Sequence, residues 1–225
     1  MSKPEGIGTE QAVTAALTLL DQARRSGGRR LLGLTGAPGA GKSTLTALLA
    51  ARLPQGSCAV VPMDGFHLAD AALHRLGRAE RKGAPDTFDA AGYVALLQRL
   101  RAAGPQDPPV WAPLFERDLD QPLAGAIEVP AAVPLVITEG NYLLREQGPW
   151  GHIGALLDAR WFVEVPEELR RRRLTERHER FGKSPQQARD WALGTDEDNA
   201  RRVAATRDRA DVVVHLEQDE PISLL

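Results

Sequence analysis

Gly36-Ala37-Pro38-Gly39-Ala40-Gly41-Lys42-Ser43 is the stretch of this chain whose residue types and spacing say most about chemistry. It satisfies the phosphate-binding loop pattern G-x-x-x-x-G-K-[ST]. Glycines let the backbone take positive φ and approach a ligand closely, so that successive N–H groups form an anion-binding concavity. Backbone N–H groups from Gly36 to Thr44 would cradle the phosphates, assisted by the positive end of the following helix. Lys42 would reach the β- and γ-phosphates and the Ser43 hydroxyl would ligate Mg²⁺. The ligand this predicts is a nucleoside triphosphate.

Moving a γ-phosphoryl group to a hydroxyl also needs a carboxylate to accept the proton and cations to balance the transferring charge. Asp64 and Glu139 each follow an apolar run, and either suits the base with the other as the metal-side acid. Arg170, Arg173, Arg177 and Arg180 recur at spacings of three, four and three, which puts them on one helical stripe. That stripe reads equally as a lid closing over the triphosphate and as a solvated face neutralised by Glu167, Glu168, Glu176 and Glu179. His67, three residues beyond Asp64, is placed either to touch an acceptor or to pack.

The elements that must position these groups follow from periodicity and breakers. The loop lies between a strand-length apolar run, residues 30–35, and a helical pattern over residues 44–50. A leading amphipathic helix covers about 9–26 and stops at Gly27-Gly28. A second strand is predicted over 58–63, a short helix within 69–81, a turn over 81–86, and a helix N-capped by Asp89 that runs through Leu100. Residues 107–130 are proline-rich and predict short strands in an insertion near the site. Strands over 133–138, 160–165 and 211–215 follow, with a helix around 153–157, a lid over about 166–190 broken at residues 181–185, and a helix over about 198–209. Strands alternate with helices, which predicts an α/β parallel sheet covered on both faces, with ligands beyond the carboxyl ends of the strands. A length of 225 residues suits one domain, 1–225.

Composition narrows the function classes. A formal net charge of −2 argues against a broad nucleic-acid or membrane field, so neither is an expected partner. The single cysteine, Cys58, excludes an internal disulfide, and the five histidines show no metal-ligand spacing. No apolar run approaches the ~18 residues of a membrane span, and the polar start is unlike a signal peptide, so a cytoplasmic protein is expected.

Taken with Asp64-Gly65-Phe66-His67, Arg81-Lys82-Gly83-Ala84-Pro85-Asp86 and Glu139-Gly140, the loop makes the chain resemble the uridine kinase, phosphoribulokinase and bacterial pantothenate kinase superfamily. It is most similar to the nucleoside/nucleotide kinase-like branch, some of whose members are provisionally named fructose transport system kinases. The resemblance runs from Arg30 to His215. It implies a P-loop NTPase three-layer α/β/α sandwich, a five-stranded parallel sheet in the order 2-3-1-4-5, and an arginine-bearing lid helix. It implies ATP with Mg²⁺ as donor and a small hydroxyl-bearing metabolite as acceptor. Carried over, Asp64 would be the catalytic base, Glu139 the acid near Mg²⁺, and Arg173 and Arg177 the lid cations, while His67, Arg81, Lys82 and Asn141 would border the acceptor. The alternative is a nucleotide-gated binding or regulatory ATPase with no acceptor. A homodimer is the default assembly for a soluble enzyme.

Overall fold

The structure is a computed structural model in which residues 4–216 are described; residues 1–3 and 217–225 of the expected domain lie outside them. In chain order the strands are β1 (Glu5–Ile7), β2 (Arg30–Thr35), β3 (Cys58–Pro62), β4 (Val110–Glu116), β5 (Gln121–Val129), β6 (Leu135–Gly140), β7 (Ala159–Glu164) and β8 (Val212–His215). The helices are α1 (Thr9–Ser26), α2 (Lys42–Arg52), α3 (Asp70–Arg75), α4 (Ala90–Ala102), α5 (Glu167–Arg180), α6 (Pro185–Leu193) and α7 (Thr195–Ala204).

β2 and β6 read as continuous apolar runs because both their faces are covered, and every residue of β6 is buried. Side chains alternate across the sheet, so Leu31, Val136 and Phe162 meet α4 through Tyr93, Leu97 and Leu100. On the opposite face Leu32, Leu34, Ile137 and Val163 pack against Ala12, Ala16 and Leu20 of α1 and Leu45 and Leu49 of α2. Asp89 caps α4 by accepting a 2.8 Å hydrogen bond from the Gly92 N–H. Ser184 and Gln187 form a capping box at the start of α6.

The main sheet has the order β1-β8-β7-β2-β6-β3, with parallel pairing throughout. The three-layer α/β class is the one expected, and its five longer strands keep the order 2-3-1-4-5. The strand count differs. β1 adds a sixth strand beside β8. It has three residues, two of them exposed, which is too little for a periodic signal.

The insertion departs from short strands: β4 and β5 pair into an antiparallel hairpin of seven and nine residues outside the main sheet. Where a helix was expected around 153–157, two 3₁₀ turns cover Gly148–His152 and Gly154–Leu156. Glycines at 148, 151 and 154 and Pro149 disfavour an α-helix there. The last predicted helix starts and ends earlier, as α7, and gives way to a 3₁₀ turn at Arg207–Arg209.

Candidate active site

β2, β3 and β6 deliver three groups to one sheet edge. Beyond Thr35 the phosphate loop runs to Gly41, whose φ of +87° caps α2 in a conformation that a side chain would strain. No side chain caps the N-terminus of α2, so its first-turn N–H groups stay available to an anion. The buried Lys42 ammonium donates to Gly36 O at 2.9 Å, Ala37 O at 3.2 Å and Asn141 Oδ1 at 2.8 Å. Burial lowers its pKa, against the pull of the Glu139 and Asp64 carboxylates.

Glu139 is one residue from the end of β6, in register with Leu34 and Pro62 on the flanking strands, so it belongs to the strand that was expected to stop before it. Its Oε1 accepts a 2.8 Å hydrogen bond from Ser43 Oγ. Burial, and then the neighbouring Asp64 charge, raise its pKa, opposed by Lys42 and the Ser43 hydroxyl.

Asp64 sits in a 3₁₀ turn, Met63–Phe66, directly after β3. Its neighbour must be glycine for a steric reason: a Cβ on Gly65 would lie 2.3 Å from Pro113 O, where the hairpin crosses. The Asp64 carboxylate lines a cleft of about 580 Å³ shared with Lys42, Ser43, Glu139 and Arg177. Among the described residues it makes no hydrogen bond or ion pair.

His67 lines the same cleft. Its Nδ1 lies 2.8 Å from Asp64 O, which can only accept, so Nδ1 carries the proton and Nε2 presents a lone pair. The ring is 4.0 Å from Phe88 and 4.7 Å from Phe115, centroid to centroid. Burial lowers the pKa of the imidazole and favours its neutral form.

The other sequence candidates divide. Lys82 lines the cleft, but its ammonium is engaged by Asp70 Oδ1 at 2.7 Å, Asp120 Oδ2 at 2.7 Å and Asp120 O at 2.6 Å. Arg81 is absent from the cleft wall, and its guanidinium pairs with Asp86 at the surface. Asn141 is on the wall, but its side-chain oxygen serves Lys42. The arginine stripe also splits. Arg170 is buried beneath the loop, bonded to Pro38 O, Glu167 and Glu197. Arg173 lines a second depression, of about 1100 Å³, together with Thr44, Leu48 and Glu164. Arg177 reaches the cleft, where burial lowers its pKa against the attraction of Asp196. Arg180 is exposed outside both.

Sequence reasoning missed Phe115 and Arg117 of the hairpin, and Asp196 and Asn199 of α7, all of which line the cleft. Asp196 Oδ2 lies 2.7 Å from His178 Nε2, and Asn199 Nδ2 donates to Gly83 O at 3.3 Å. The available signal was the placement of residues 107–130 near the site.

Comparison with known proteins gives this geometry a family. Residues 7–65 match the family described as methylmalonyl Co-A mutase-associated GTPase MeaB. That stretch carries the loop and β3 and ends at Gly65, before the hairpin and α5 to α7. YggC of Escherichia coli is 34% identical over 209 residues, covering 91% of this chain and 84% of that protein. A Schizosaccharomyces pombe protein named "putative uridine kinase" is 35% identical over 158 residues, covering 67% of this chain and 66% of its own length. The crystal structure of a "putative fructose transport system kinase" from Silicibacter sp. TM1040 superposes with a TM-score of 0.76 at 40% identity, covering 87% of this chain and 98% of that one. This chain belongs to the uridine kinase-like P-loop kinases.

In this uridine kinase-like P-loop kinase the hairpin, the Lys82 turn and α5 to α7 add further walls to the cleft that Lys42 and Ser43 line. Among the described residues no helix is long and apolar enough to cross a membrane.

Proposed function

We propose that this uridine kinase-like protein transfers the γ-phosphoryl group of ATP to a hydroxyl of a small metabolite: a sugar, a nucleoside or a pantothenate-like compound. The observation that carries the proposal is the pairing of Asp64 with the phosphate loop. Both face one cleft, and the Asp64 carboxylate is unpaired while Glu139 is held by Ser43. Those contacts divide the two acids. Asp64 takes the proton of the acceptor hydroxyl as its oxygen attacks the γ-phosphorus, the bond to the β–γ bridging oxygen breaks, and ADP leaves.

The loop N–H groups and Lys42 hold the phosphates, and Arg177 balances charge that accumulates on the transferring group. The Ser43 hydroxyl and the Glu139 carboxylate, 2.8 Å apart, suit a hard cation that takes its other ligands from phosphates and water. Mg²⁺ held there would supply charge neutralisation on the β- and γ-oxygens. The hairpin and α5 to α6 frame the cleft and would limit water, the competing acceptor.

The test is turnover of ATP and Mg²⁺ by the purified chain against sugars, nucleosides, pantothenate and other vitamins, with mass detection of phosphorylated products. ADP release that depends on one acceptor, matched by its phosphorylated form, is expected. ATP hydrolysis indifferent to every acceptor would overturn the proposal in favour of a nucleotide-gated ATPase.

A further inference from the structure

The part of the cleft wall around His67 and Lys82 bears on what the acceptor is, given the phosphotransferase reading above. It includes His67, Asp70, Lys82, Phe88, Phe115 and Asp120. Lys82 is the cation that would seize a carboxylate or phosphate on an acceptor, yet its ammonium has three N–H donors and three acceptors already meet them: Asp70 Oδ1, Asp120 Oδ2 and Asp120 O. The Phe115 ring lies 5.5 Å from the same nitrogen. Two carboxylates against one ammonium leave this part of the wall with an excess of negative charge, to which Asp118 on the hairpin turn adds.

Arg177 and Arg117, on the same cleft wall, interact electrostatically with Glu139, the partner of Ser43, and Lys183 lies 4.5 Å over the Trp191 ring on α6. What the part around His67 and Lys82 offers is hydrogen-bond acceptors: the second carboxylate oxygens of Asp70 and Asp120, and His67 Nε2, whose partner nitrogen is committed to Asp64 O. Phe88 and Phe115, one on either contact of His67, present aromatic surface to C–H groups.

We infer that the acceptor is an uncharged polyhydroxylated molecule, a sugar or polyol carrying neither carboxylate nor phosphate, whose hydroxyls donate to Asp70, Asp120 and His67. An acidic acceptor would meet like charge with Lys82 already engaged, and binding of that kind is disfavoured even where size and shape match.

Matched pairs that differ in one acidic group test this: glucose with gluconate, glycerol with glycerate, and pantothenol with pantothenate, alongside pentoses, hexitols and uridine. Thermal stabilisation of the whole chain, loaded with Mg²⁺ and a non-hydrolysable ATP analogue, reports binding; phosphorylation with ATP is scored separately. A neutral polyol should bind about tenfold or more tightly than its acid partner. Asp70→Asn, by removing one of the two charges on Lys82, should narrow that ratio, and Asp120→Asn should do the same. Uridine binding would place the polyol on a ribose and sugar binding would place it on a free saccharide; both support the inference. Equal or tighter binding of the acids, no binding by any neutral polyol, or an unchanged ratio in both variants would overturn it. A polyol that binds without being phosphorylated refutes the phosphotransferase reading alone, whereas a phosphorylated acid that outcompetes its neutral partner refutes the acceptor class alone.

Discussion

Asp64→Asn is the substitution that separates chemistry from binding in this cleft. The replacement is isosteric, and the carboxylate it removes makes no hydrogen bond or ion pair among the described residues, so no native contact is lost. Lys42 keeps its bonds to Gly36, Ala37 and Asn141, and Ser43 keeps Glu139. ATP affinity should therefore stay within about threefold of wild type, and stability within about 0.5 kcal/mol. Proton acceptance by a positioned base contributes ~10²–10⁴ in rate, and each factor of ten is ~1.36 kcal/mol of barrier. The variant should thus lose roughly 3–5 kcal/mol of transition-state stabilisation, seen as a fall in kcat with little change in the KM for ATP. Calorimetric titration with ATP and coupled detection of ADP measure the two quantities independently. Unchanged kcat would show that Asp64 is not the base. A tenfold or greater loss of ATP affinity would move it to the metal side of the reaction.

Two other outcomes follow from the same contacts. Glu139 has a folded-state pKa above its ordinary value, from burial and then from Asp64, so between the ordinary glutamate pKa and the raised one the folded protein holds a proton that the unfolded chain has released. Stability is lost as pH rises through that window, and Glu139→Gln should raise the Tm of the nucleotide-free protein at pH 7, with the gain shrinking as pH falls toward 4; a gain independent of pH would refute the sign. Gly65→Ala places a methyl 2.3 Å from Pro113 O and 2.7 Å from Pro113 C, both backbone atoms, so the hairpin must shift; urea denaturation should show a loss of about 1–3 kcal/mol at unchanged m-value, and a neutral result would mean that the hairpin yields freely.

The sheet and the loop were legible because their signals are local. Arg30 to Thr35 is an unbroken buried run, Gly41-Lys42-Ser43 follows at fixed spacing, and α1 shows its apolar face and a Gly27 stop in one short window. Asp64 was legible for the same reason, as the first acid past β3. What escaped depends on distant partners. Arg170 and Arg177 share a stripe and a residue type, yet one is turned under the loop by Glu167 and Glu197 and the other opens on the cleft. Arg81 and Lys82 are adjacent, and only the position of Asp86 against that of Asp70 and Asp120 decides which lines the cleft. Arg29, an unremarked residue before β2, donates to the carbonyls of Leu100, Pro130, Ala131 and Val133, a role no spacing announces.

The pairing of β1 with β8 has a consequence for the order in which the protein is made. Ile7 is in register with Val214, which leaves the ribosome some two hundred residues after it. The edge strand must wait until β8 has emerged, while β2, β3 and β6 can pair as soon as residue 140 is out. Gly8 and the first turn of α1, through Thr9 and Gln11, line the depression beside the phosphate loop, and β8 supplies His215 to the same wall. A nascent chain that already carries the full Gly36-to-Ser43 loop thus lacks the neighbouring depression, whose wall is completed only once β8 has emerged.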